Sequence, residues 1–111
     1  MGSKPLLIPS DENNIRDRAL KIWQENPPLD ELIWYFAEME VRLAPTRWRR
    51  LVERDLFIVE APTALVVTPP REAIVQKAEE IAASNPCPRD LHWYLAERSY
   101  LFDQIQLELR N

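Results

Sequence analysis

The chain has 111 residues, a formal net charge of −4, 46% hydrophobic residues and 29% charged ones. That suffices for one domain with a real core and falls short of two, and the balance is that of a globular protein, not a disordered or fibrous one. One cysteine, one histidine and one glycine exclude an internal disulfide, a multi-cysteine zinc site and any glycine-rich phosphate loop or dinucleotide fingerprint.

Leu6, Leu7 and Ile8 open the chain as a short apolar triplet. Ser10 is the expected N-cap of a first helix, followed by Asp11 and Glu12, whose charges suit the positive end of the helix dipole. Ile15, Ala19, Ile22 and Trp23 recur at helical spacing. Asn26 precedes Pro27 and is therefore pushed out of the α region, which stops the helix. A second helix is predicted from near Leu29, with Asp30 and Glu31 in its first turn. Leu32, Phe36, Met39 and Leu43 form its apolar stripe, and Pro45 ends it.

Residues about 46–57 are predicted as a linking helix, with Trp48, Leu51, Val52 and Leu56 on one side and arginines on the other. The stretch LFIVEAPTALVV at 56–67 has β-branched residues that also allow short strands. Thr68 is the expected cap of a third helix, Pro69 fits its first turn, and Ile74, Ala78, Ile81 and Ala82 make its inner face. Pro88 opens a fourth helix that no proline interrupts. It is expected to run through Leu101, Ile105 and Leu109 and to exceed about 20 residues.

The second half repeats the first. Shifting the chain by 59 positions aligns 15–43 with 74–102 without a gap, and ten of the 29 pairs are identical. These include Asn26/Asn85, Pro27/Pro86, Trp34/Trp93, Tyr35/Tyr94, Ala37/Ala96 and Glu38/Glu97. The apolar triplet at 6–8 falls on 65–67, so the two triplets are candidates to pair as strands across a pseudo-twofold. The fold expected is one mostly α domain over 1–111, built from two tandem helical hairpins (repeats 6–43 and 65–102) and the linking helix, with two very short strands as an option.

The repeat also weighs the candidate sites. NPCPRDLHWYLAE at 85–97 brings a cysteine and a histidine together, but the other copy has Pro28 for Cys87 and Ile33 for His92. A metal ligand or general base is not exchangeable with isoleucine, so both are read as structural, and no catalytic residue, metal ligand or cofactor is assigned. Glu38 and Glu97 each follow a tryptophan by four residues inside an apolar helix, while Arg18 aligns with Lys77. This suggests an acid–base tie between the two helices of each repeat; a paired-carboxylate catalytic site lacks any nucleophile or oxyanion partner. Trp34 and Trp93 are expected in the core, where truncation costs about 3–5 kcal/mol.

Charge is uneven. Residues 42–54 hold five arginines (Arg42, Arg47, Arg49, Arg50, Arg54) and one acid, Glu53, a net +4 against −8 for the remainder. Arg47, Trp48, Arg49, Arg50 and Arg54 are the candidate partner-binding residues, suited to an acidic protein surface or a phosphate. The acidic remainder makes extended nucleic-acid binding the weaker alternative. A small-ligand or enzymatic role for His92 and Cys87 is the other.

IRDRALKIW…LIWYFAEMEVRL and IVQKA…LHWYLAERSYL resemble a group of short bacterial helical segments known as a domain of unknown function. In that group an isoleucine-led helix with Arg-Ala and Leu/Ile-Trp precedes a helix containing His-Trp-Leu and Ala-Glu. The resemblance falls on Ile15, Arg18, Ala19, Ile22, Trp23, Trp34, Ala37 and Glu38, then on Ile74, Ala78, His92, Trp93, Ala96 and Glu97. This chain departs from it in having two copies and a shorter turn without glycine. The resemblance implies a helical hairpin and no activity, cofactor or catalytic residue.

The function expected is therefore a non-catalytic protein-interaction module or small regulatory adaptor, with a homodimer as one possible partner. No apolar run approaches the roughly 18 residues of a membrane span, and MGSKPLLIPS lacks the apolar stretch of a secretory signal. A cytoplasmic location is expected.

Overall fold

A computed structural model describes residues 3–63, 65 and 68–110. Among these residues the chain is mostly helical, with four α-helices and a three-stranded antiparallel sheet. The order is β1 (Ser3–Pro9), α1 (Glu12–Glu25), α2 (Leu29–Leu43), β2 (Arg47–Leu51), a single 3-10 turn (Val52–Arg54), β3 (Leu56–Pro62), α3 (Arg71–Ala83) and α4 (Pro88–Arg110).

Local chemistry explains most of the helix boundaries. Asp11, not Ser10, caps α1, its carboxylate accepting the backbone N–H of Asn14 at 3.1 Å. Ser10 instead belongs to the sheet, donating its N–H to the Asp55 carbonyl at 2.8 Å. After α1 and α3 the chain turns at Asn26 (φ 48°) and Asn85 (φ 52°). Asparagine tolerates this left-handed backbone better than other non-glycine residues, which explains how a chain with one glycine makes both turns. The third helix begins at Arg71 after Pro70, so Thr68 is not its cap. The fourth runs for 23 residues from Pro88, as the absence of an internal proline predicts.

The predicted linking helix over 46–57 is not formed. That segment is β2, the 3-10 turn and the start of β3, folded as a hairpin with Arg49 opposite Ile58 and Leu51 opposite Leu56. The triplet at 6–8 does form a strand, but its partner is 57–59, with Leu6 opposite Val59 and Ile8 opposite Phe57. Of its expected partner, Leu65 lies outside any strand, and positions 66 and 67 lie outside the described residues.

Helix packing also differs from two self-contained hairpins. The principal pairs are α1 with α4, α2 with α3, and α2 with α4. The first helix of each half thus rests on the second helix of the other. Several positions at the 59-residue offset nevertheless correspond. Helices α1 and α3 start 59 residues apart, as do α2 and α4. Ile15 and Ile74, Leu32 and Leu91, and Ala37 and Ala96 are all buried.

One face of the sheet meets the helices. Leu6, Ile8, Phe57, Val59 and Ala61 point inward and join Ile15, Leu43, Tyr100, Leu101, Phe102 and Ile105 in the main core. A second cluster, Leu32, Ile33, Leu91 and Leu95, fills the crossing of α2 and α4. Trp34 and Trp93 are half-buried, each beneath a guanidinium: Arg71 lies 5.2 Å from the Trp34 ring and Arg50 lies 5.9 Å from the Trp93 ring. Because part of the Trp34 indole is already in water, Trp34→Ala is expected to cost only about 1–2 kcal/mol, below the range for core truncations. Denaturant melts check this; a loss above that range would mean the indole is a core residue.

Candidate functional site: a sheet edge and an ion-pair relay

The hairpin strand β2 separates the five candidate arginine-segment residues into two sets. Arg47 and Arg49 point to the open face of the sheet and are exposed, as is Arg54 in the 3-10 turn. Trp48 and Arg50 turn the other way. The Trp48 ring meets Phe57 edge-on, with centroids 5.8 Å apart. Arg50 therefore leaves the exposed set that the sequence suggested, because it is committed to the interior.

Arg50 sits in a relay of charges that ties β2 to three helices. Its Nη1 donates to Oε2 of Glu97 at 2.7 Å, and its Nη2 donates to Glu12. Arg98 completes the other side, donating from Nη1 to Oε1 of Glu97 at 3.1 Å and from Nε to Glu40. Aromatic rings line both guanidiniums. Arg50 lies 5.6 Å from the Phe57 ring, and Arg98 lies 5.2 Å from both Phe36 and Trp48. Burial pushes the Arg50 guanidinium down, but its hydrogen bonds to Glu97 and Glu12 and their charges more than offset this, so it is held above its ordinary value.

The acid–base ties expected within each repeat are replaced by longer ones. Glu97 is buried and bound to Arg50 and Arg98, not to Lys77. Arg18 donates to Asp103 at 2.8 Å and to Ser99 at 3.0 Å, fastening α1 to α4. It reaches the same roughly 290 Å³ groove as Glu38 without an ion pair between them. Glu38 pairs instead with Arg42, one turn further on, at 3.4 Å. Sequence reading saw two equivalent acids; the fold uses them differently.

Backbone geometry gives the two edges of the sheet opposite characters. The strand order is β1-β3-β2, so β1 and β2 are both edges. In an antiparallel ladder, alternate residues bond to the neighbouring strand and the others face away. The Ser10–Asp55 bond continues the β1–β3 register, so the even-numbered residues of β1 bond inward and Pro5, Leu7 and Pro9 face the outer edge. Two of those three have no N–H to offer, and the Pro9 carbonyl is taken by the Tyr100 hydroxyl at 2.6 Å. Proline has closed this edge. By the same alternation, Arg47, Arg49 and Leu51 bond to β3, and the backbone of Trp48 and Arg50 faces outward from β2. No proline interrupts it, and no strand lies beyond it among the described residues. Beside it, Arg47, Trp48, Arg49, Ile58 and Glu60 surround a shallow hollow of about 200 Å³.

His92 and Cys87 are not brought together as a reactive pair. Cys87 is exposed in the turn before α4. His92 lines a separate cleft with Arg16, Ala19, Leu20, Trp23, Arg89 and Trp93, which sequence reading missed because its two walls lie about seventy residues apart. Among the described residues no group of three or more His, Cys, Asp or Glu is placed to hold a metal ion. None of the helices, again among the described residues, is long and apolar enough to cross a membrane.

Comparison with protein-family models, with curated proteins and with solved structures finds no match to this chain.

Proposed function

We propose that this protein is a non-catalytic interaction module whose β2 edge accepts an extended acidic segment of another protein. The observation that carries the reading is the open, proline-free β2 edge beside two outward arginines, Arg47 and Arg49, that have no acidic partner among the described residues. A strand added there gains main-chain hydrogen bonds from Trp48 and Arg50, and its alternate side chains lie beside Arg47 and Arg49 on the open face. Acidic residues at those alternate positions suit the site. A second copy of this chain suits it poorly, because an antiparallel self-pair brings arginine against arginine, which is destabilising. The −8 carried by the rest of the chain makes extended nucleic-acid binding the weaker reading.

The pseudo-twofold between the halves belongs to the same proposal. It is supported by the common 59-residue spacing of helix starts and by the exchanged packing of α1 on α4 and α3 on α2. On this reading the β2–β3 hairpin is the insertion that breaks the repeat, and the interaction edge lies on the insertion.

The test uses a synthetic peptide of alternating glutamate and valine. The parent is expected to bind it, more weakly as salt is added, because exposed charges are screened beyond about 8–10 Å at physiological ionic strength. The Arg47→Glu/Arg49→Glu variant is expected to lose binding by at least about tenfold, while stability shifts by less than about 0.5 kcal/mol, since both side chains are exposed. Arg50 is left intact in this test because its replacement would damage the fold. Unchanged affinity in the double variant would reject the reading.

A further inference from the structure

We propose that the cleft between α1 and α4 is a binding site for a small planar aromatic anion, a flat ring bearing a phosphate or carboxylate. It is separate from the β2 edge and does not depend on it.

The cleft follows from how the two helices meet. They run antiparallel: Arg18 near the middle of α1 reaches Ser99 and Asp103, while the end of α1 carrying Trp23 meets the start of α4. Arg16, Ala19, Leu20 and Trp23 recur at helical spacing and form one wall; Arg89, His92 and Trp93 form the other. Between them lies about 300 Å³, at the lower end of the range for small-molecule sites.

Two features of this cleft are costly or idle for folding alone. Trp23 leaves 62% of its surface in water, the largest such exposure of any aromatic ring among the described residues. Arg16 and Arg89 have no ion pair or hydrogen-bonding partner among those residues, whereas Arg18, Arg50 and Arg98 are each bound to acids. No aspartate or glutamate lines the cleft, in a chain whose overall charge is negative. Indole faces take flat rings by stacking, and guanidinium forks match the paired oxygens of a phosphate or carboxylate.

The duplication supplies an internal comparison. The α2–α3 seam holds the counterparts at the 59-residue offset, where Arg16, Leu20, Trp23, Arg89 and His92 become Val75, Glu79, Ala82, Asp30 and Ile33. There Arg71 covers Trp34. The counterpart tryptophan, Trp93, likewise lies beneath a guanidinium, that of Arg50, so the seams differ elsewhere: one carries Asp30 and Glu79, the other the exposed Trp23 with Arg16 and Arg89. Packing two helices does not require that difference.

The experiment follows the indole N–H and amide NMR signals of the full chain during titration. The two anionic probes are adenosine 5′-monophosphate and indole-3-acetate, which separate a phosphate-bearing from a carboxylate-bearing ring. Adenosine, indole-3-acetamide and inorganic phosphate are the neutral and ring-free controls. At least one anionic probe is expected to give saturable shifts at Trp23, His92 and Trp93 with a dissociation constant below about 1 mM. Its controls, and the Arg16→Ala/Arg89→Ala variant, are expected to bind at least about tenfold more weakly. The variant's spectrum, unchanged away from the cleft, verifies the fold, and Trp23→Ala provides an independent loss of the stacking wall. The proposal fails if neither anion gives saturable shifts, if the neutral rings bind as tightly, or if saturable shifts map elsewhere.

Discussion

Phe57→Ala is expected to lower the stability of this protein by about 3–5 kcal/mol, the range for truncating a fully enclosed aromatic ring. Phe57 is wholly buried as the second residue of the middle strand, β3. Its ring joins the sheet to the helices: Trp48 lies against it from the neighbouring strand at 5.8 Å, Arg50 of the same strand lies 5.6 Å from its centre, and Tyr100 approaches from α4 at 6.3 Å. Removing it leaves a cavity between the sheet and α4. Denaturant unfolding monitored by circular dichroism reads the effect as a lower midpoint at unchanged slope. A variant that unfolds at the parental midpoint would show that the sheet does not pack on the helices through this residue.

Arg50→Ala ranks second, with an expected loss of roughly 3 kcal/mol. Removing one member of a buried ion pair typically costs about 3–5 kcal/mol because its partner is left charged without compensation. The lower figure applies because the side chains of Arg50 and Glu97 keep 14% and 11% of their surface in water and Arg98 remains bound to Glu97. Replacing both members, as Arg50→Met/Glu97→Gln, is expected to be less harmful than Arg50→Ala alone, since no buried charge is then stranded. The Arg50–Glu97 coupling is read from a double-mutant cycle of unfolding free energies. Additive effects would mean that the relay is ornamental to stability, and that Arg50 acts through its ring contacts alone.

The contrast between Arg50 and its neighbours explains the largest difference between sequence expectation and structure. In RWRRLVERDLF, Trp48, Leu51, Val52 and Leu56 fit a helical stripe, and the arginines fit its solvated side. The segment is a strand because Trp48 and Arg50 share the inward face, and arginine counts as polar in any reading of periodicity. Arg50 occupies that face because Glu97, 47 residues away, neutralises it there. An alternation that depends on a distant carboxylate cannot be read locally.

Helix existence, the length of α4 and the stops at the two asparagine–proline steps were legible from the sequence, because spacing and proline placement act within a few residues; the left-handed conformation of the two asparagines was not. The arginine segment was legible as a charge cluster, but its division into outward Arg47 and Arg49 and inward Arg50 was not. Nor was the cleft of Trp23, His92 and Arg89, since helical spacing shows which residues share a wall and not which walls face each other. By itself, then, the sequence determined the four helices and the prolines that bound them, consequences of short-range backbone energetics. Tertiary structure alone decided that the triplet at 6–8 pairs with 57–59, that the first helix of each half packs on the second helix of the other, and that one sheet edge is closed by proline while the other stays open. These depend on hydrogen bonds, apolar burial and charge compensation between residues far apart in the chain, and such choices are made only when the core assembles.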